Sequence, residues 1–136
     1  MRDRDSANTN HTHTQTMFNF EKLDVWKKAI EFADLVYSFT RAFPSDERFG
    51  LTNQMRRAAV SISSNIAEGS SRISRVEFAR FIEIASGSAY EVISQSYIAK
   101  NQGFIDEPTF QKIYTATEEL SKMLSGLRTY LFADRK

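Results

Sequence analysis

The chain has 136 residues, of which 41% are hydrophobic, and its 18 Lys and Arg against 17 Asp and Glu leave a net charge of +1. That length provides one domain with a single sizeable core, and near-neutrality gives no global electrostatic case for a nucleic-acid or membrane partner. The absence of cysteine excludes a disulfide framework, a thiolate metal site and a cysteine nucleophile, and fits a reducing cytoplasm.

Residues 1–17 are polar, rich in Thr and Asn, and without apolar periodicity, so they are expected to form a disordered tail that cannot offset the entropy of ordering. No apolar h-region opens the chain and no later segment has the charge-free length that spanning a bilayer needs, so a soluble, unexported protein without a membrane partner is expected. Met17 stands directly before the periodic sequence and is a candidate native start. The only histidines, His11 and His13, fall in the tail, where His-Thr-His reads as solvated sequence rather than a metal site.

Residues 18–136 read as the folded domain. Over residues 23–41 the polar Asp24, Lys27, Glu31, Asp34, Ser38 and Arg41 recur at three or four and trace one stripe of a helix. The remaining circumference is apolar, from Val25 and Trp26 through Val36, Tyr37 and Phe39. So wide an arc calls for a further partner, most simply a second copy of the chain.

Pro44 ends this helix. Thr52 is a candidate N-cap for a second helix running to about Glu68, with Gly69 in the left-handed position after it. Ser74 and Glu77 form a capping box that opens a third helix, which stops at Gly103. Asp106 caps a fourth, with Pro108 in its first turn, and Phe110, Ile113, Thr117, Leu120, Leu124, Leu127 and Leu131 form its heptad seam. Four helices on short connections, with no strand-like alternation, give an all-α, antiparallel up-and-down four-helix bundle.

Two polar stripes interrupt the apolar pattern. Ser61, Asn65 and Glu68 follow one line of helix two, and Gly87, Glu91 and Gln95 follow one line of helix three. The small residues around Ala58, Ala59 and Gly87 would let the two backbones approach. The stripes are expected to satisfy each other as a structural network that fixes register, with Arg57 pairing Glu91 or Glu68. A small-ligand pocket is the competing reading. Without His or Cys in the folded part the usual bases and nucleophiles are missing, so no enzyme, resident cofactor or metal is expected.

Between residues 41 and 80 seven arginines face four acids. Arg56, Arg57, Arg72 and Arg75, joined by Lys22, Lys27 and Lys28, are candidate contacts to the phosphates of RNA or DNA, with Arg72 and Arg75 expected to be exposed. An ordinary solvated surface is the alternative.

One run carries more than chemistry. Arg57-Ala58-Ala59-Val60-Ser61-Ile62-Ser63-Ser64-Asn65-Ile66-Ala67-Glu68-Gly69, with Leu23 to Ala29, Phe49 to Arg56, Glu77-Phe78, Phe81, Ala85, Gly87-Ser88, Glu91, Gln95, Ala99 and Gly103-Phe104-Ile105, resembles the bacterial four-helix-bundle family named for proteins encoded in intervening sequences of 23S ribosomal RNA genes. The resemblance implies a cytoplasmic bundle that assembles as a ring-shaped homopentamer. It further implies RNA association, inferred from genetic context. A related group, the accessory proteins of diversity-generating retroelements, binds nucleic acid and a reverse transcriptase through a basic surface. Two positions depart from the pattern: Ser63 stands where proline is common, implying a straighter helix two, and Ile93 replaces a second acid, implying a smaller polar network. The expected function is therefore a non-enzymatic oligomeric protein that binds RNA or DNA non-specifically, the alternative being a scaffold or adaptor that grips another protein.

Overall fold

The computed structural model describes residues 17–133. Residues 1–16 of the expected tail, His11 and His13 among them, lie outside the described residues, as do residues 134–136. Four helices account for most of the described chain: α1 (Asp24–Thr40), α2 (Leu51–Ser70), α3 (Arg75–Asn101) and α4 (Glu107–Ala133). One 3-10 turn, Asn19–Lys22, leads into α1, and another, Ser45–Glu47, lies between α1 and α2. No strand occurs among the described residues.

Each helix packs on its sequence neighbours and α1 closes against α4, while the backbones of the diagonal pairs α1–α3 and α2–α4 do not approach closely. The bundle is thus a four-sided, antiparallel ring of helices. Its core is filled by Ala29, Phe32 and Val36 of α1, Met55, Ile62 and Ile66 of α2, Ile82, Ala85 and Val92 of α3, and Ile113, Leu120 and Leu124 of α4. Each such large apolar side chain withdrawn from water contributes about 1.5–3 kcal/mol before the entropy of ordering is charged against it.

The apolar arc of α1 is covered more fully than its width implied. Val25, Ala29, Phe32 and Val36 are buried, and Trp26, Ala33, Leu35 and Phe39 pack against the core from its edge. The turn Asn19–Lys22 supplies the missing cover, since it touches both α1 and α2 and lays the Phe20 ring 4.8 Å from that of Trp26. Only Ile30 and Tyr37 remain at the surface, each little more than a third exposed.

The helix ends follow local chemistry, with two corrections. Helix α2 begins at Leu51 and not after a Thr52 cap. The Glu47 carboxylate accepts the Leu51 N–H at 2.9 Å, so the first orphan donor is satisfied by the preceding turn and Thr52 is free to be buried. Nor does Gly69 end the helix in a left-handed turn; it is helical, and α2 continues to Ser70. Its missing side chain serves packing, because a Cβ there would stand 2.7 Å from Phe81 Cβ and 2.9 Å from Phe78 Cδ1. At Gly87, expected to be the close approach, a Cβ would meet nothing within 4 Å. Elsewhere the expected caps form, although the Ser74 box is half made: Ser74 Oγ accepts the Glu77 N–H at 3.2 Å without a return bond to the Glu77 carboxylate, Asp106 Oδ1 accepts the Thr109 N–H at 3.0 Å, and Gly103 turns the chain after α3 at φ 78°.

Candidate functional site

The polar stripes of α2 and α3 do not meet as expected: the direct bridge between these helices is made by Ser88, the neighbour of Gly87, and not by Glu91 or Gln95. Ser88 Oγ donates to Ser61 Oγ at 3.0 Å, and Asn65 Nδ2 donates to the Ser61 carbonyl at 2.8 Å and to its hydroxyl at 3.0 Å. Neither Glu68 nor Glu91 joins it. Glu68 pairs with Arg72 one turn on, at 3.1 Å. Arg72 lies just past the end of α2 at Ser70 and folds back onto Glu68, whereas Arg57 stands eleven residues earlier on the same helix, roughly 16 Å away. Arg57 and Glu91 are exposed, and neither forms an ion pair among the described residues. Gln95 is only 7% exposed, and its Oε1 is fully enclosed without a hydrogen-bond partner. Ile93 lies away from this seam, on the side of α3 that faces α4.

The candidate phosphate contacts divide between the two ends of the bundle. Antiparallel order gathers Lys22, Lys27 and Lys28 at the end that carries the α2–α3 connection with Arg72 and Arg75. Arg56 and Arg57, in the second turn of α2, stand roughly 20 Å away along the helix. Several of the seven are engaged within the chain. Arg56 Nε donates to the buried Thr40 hydroxyl at 2.9 Å while its guanidinium sits 4.5 Å from the Tyr37 ring. Arg75, expected to be exposed, is half-buried: it donates to the Leu131 and Tyr130 carbonyls at 3.2 and 3.0 Å and stacks 4.6 Å from the Tyr130 ring. A cation held against the last carbonyls of α4 also complements the helix dipole. Lys28 reaches Glu31 at 3.8 Å and Glu119 at 3.6 Å, whereas Lys22 and Lys27 are exposed.

Two open grooves flank the bundle on opposite sides. Between α3 and α4 a groove of about 500 Å³ is lined by Tyr90, Ile93, Tyr97, Tyr114, Glu118 and neighbours. Between α1 and α2 a second, of about 620 Å³, is lined by Tyr37, Arg48, Phe49, Arg56, Arg57, Val60 and neighbours, with no acid among them. Tyr90 and Tyr97 are 68% and 47% exposed. Their spacing of seven, which sets two hydroxyl-bearing rings on one face, was the signal available.

Among the described residues no group of three His, Cys, Asp or Glu side chains is disposed to hold a metal, and no helix is long and apolar enough to cross a membrane. Two carboxyls are held below their ordinary range: Asp106 by the Thr109 hydroxyl and N–H, and Glu107 by Gln111 and then Lys100. Both belong to the start of α4. Neither lines the two flanking grooves.

A family model described as 23S rRNA-intervening sequence protein matches residues 21–126. The chain belongs to that family. Its matched span runs from the turn before α1 into the last two turns of α4, so it takes in both grooves and the polar seam. A crystal structure of a protein of unknown function from the S23 ribosomal protein family of Bacteroides thetaiotaomicron is similar to this chain at 25% identity with a TM-score of 0.69, covering 76% of this chain and 97% of that one. No curated protein matches this chain. The family and its solved relative carry no stated activity, and no enzymatic family is indicated.

Proposed function

We propose that this protein is a non-enzymatic, self-assembling four-helix scaffold, a ring-like homo-oligomer for which the family resemblance implies five copies. One observation carries the reading: a bundle whose core is already closed by its own helices still exposes Tyr90 and Tyr97 along α3 with Tyr114 beside them on α4, and Ile84 and Ile98 on another line of α3. Apolar and aromatic side chains grouped on one helix pair of a small domain mark an association surface. The cysteine-free sequence supports a cytoplasmic setting. Light scattering across a size-exclusion peak tests the assembly: a mass several times the 15.6 kDa of the chain is expected, and a monomer at all concentrations overturns it.

A second reading, non-specific binding of RNA or DNA, draws on the gathering of Lys22 and Lys27 near Arg72 at one end of the bundle. A ring of parallel copies would repeat that end around its axis and multiply a charge that is weak in one chain. Its test is salt. Affinity for a nucleic-acid duplex should fall steeply as salt rises, with a slope that tracks the phosphates neutralised. No binding at low salt removes this reading and leaves the scaffold, or an adaptor that grips another protein.

A further inference from the structure

We propose that the α1–α2 groove of one copy and the α3–α4 groove of the next form a head-to-tail contact in which Phe49 enters the tyrosine-lined groove and Arg57 faces Glu118. The inference rests on the self-assembly reading above and names the surfaces it would use. Because the helices pack in cyclic order without close diagonal approach, these two grooves lie on opposite faces. Joining two unlike faces is a heterologous contact, which closes into a ring where the repeated rotation between copies closes and runs on as an open filament where it does not.

The two faces are complementary in shape. Phe49 is 86% exposed, an apolar ring held out on the segment before α2, while the opposite face offers an open groove floored by Ile93 and walled by Tyr90, Tyr97 and Tyr114. Arg48 covers one face of the Phe49 ring at 5.4 Å, and insertion among the tyrosines would exchange water for aromatic contact on the rest of it.

They are complementary in charge as well. The Phe49 face carries Arg48, Arg56 and Arg57 and no acid, whereas the groove carries three tyrosine rings with Glu118 as its one acid and Lys122 one turn further along α4. Inside the chain guanidinium groups repeatedly sit over rings: Arg56 on Tyr37, Arg72 on Phe81 and Arg75 on Tyr130. Arg57 has no ring, ion pair or hydrogen bond among the described residues, and Tyr90 has no cation over it. Each supplies what the other lacks.

They also match in height along the bundle. The Ser61–Ser88 bridge sets Val60 level with Ala89, beside Tyr90. The edge contact of Tyr97 with Phe110 at 4.8 Å fixes the register of α3 against α4 and, counted eight residues along each helix, sets Glu118 at that same level. Arg57 is one turn from Val60. Phe49 and Tyr97 both lie toward the end that carries the α1–α2 connection. Copies standing side by side with parallel axes therefore bring the paired features together without sliding.

The test uses the full chain and two surface variants, Phe49→Asp and Tyr90→Asp, with circular dichroism melts to confirm that each retains its fold. Light scattering should give an oligomer for the wild type and a 15.6 kDa monomer for each variant alone. Mixed, the two variants should form a one-to-one dimer, because each keeps the face that the other lost. Arg57→Glu should weaken assembly at least tenfold and Glu118→Arg in the same chain should restore it. A wild-type oligomer that both variants leave intact overturns this contact while self-assembly stands, as does a pair of monomeric variants that fail to dimerise. A monomeric wild type overturns both. So does a monomer whose Tyr90→Asp variant loses binding to single-stranded oligothymidylate, which would assign the groove to stacked bases.

Discussion

Gly69 and Phe81 meet closer than two side chains can, since a Cβ at Gly69 would stand 2.7 Å from the Cβ of Phe81. Helices α2 and α3 therefore come close together near the end that carries their connection. Substituting Gly69→Ala should destabilise the bundle by about 1–3 kcal/mol through overpacking, despite the better helix propensity of alanine. Gly87→Ala, into open space, should stabilise it by about 0.5–1 kcal/mol. Urea denaturation of the two variants, with opposite signs, checks the assignment.

Arg75 and Arg72 stand three residues apart and should behave differently. Arg75→Ala removes two carbonyl contacts and a ring contact that hold the last turn of α4, and a loss of about 1–2 kcal/mol is expected. Arg75→Lys should recover only part of it, since an ammonium cannot fork between two carbonyls. For Arg72→Ala, whose contacts are a solvent-exposed ion pair and one ring, the loss should stay under about 1 kcal/mol. Hydrogen exchange of the final turn of α4 should rise in the Arg75 variants alone.

Gln95→Met keeps volume while removing an enclosed oxygen that has no partner. Thermal or urea denaturation should show a gain of about 1 kcal/mol. An unchanged or lower stability would show that the amide finds a donor in the assembled protein.

Asp106 sets an acid limb. The Thr109 hydroxyl and N–H favour its carboxylate in the folded state and hold its pKa below the ordinary value. A lowered folded pKa makes a stabilising contribution that is complete above the unfolded pKa, about pH 4, and is lost as pH falls through the folded value. Asp106→Asn keeps a cap but no charge. The stability difference between wild type and Asn variant should be larger at pH 6 than at pH 2, measured by urea titration at each pH. Glu107, lowered by Gln111 and Lys100, adds to the same limb.

The bundle was legible in the sequence because its helices carry their own signals. Phe110, Ile113, Thr117, Leu120, Leu124 and Leu131 are all buried, as a three-four alternation requires, and Ser74, Asp106 and Gly103 stop or start helices through contacts within a few residues. What escaped depends on distant neighbours. A glycine near a helix end has two physical uses, a left-handed turn or a close approach, and only Phe78 and Phe81 decide between them for Gly69. The partners of Arg75 lie more than fifty residues downstream, beyond any local pattern. Helical spacing set Ser61, Asn65 and Glu68 on one face, but the nearer Arg72 drew Glu68 out of the seam.

An even number of antiparallel helices returns the chain to the pole it left, so the turn Asn19–Lys22 and the final turn of α4 share one pole with Arg72. A fusion at either described terminus would crowd that lysine-bearing pole and mask it in a phosphate-binding assay. A circular permutant, closed by a short Gly-Ser bridge and opened at residues 102–106, would carry its ends at the opposite pole and leave this one uncovered.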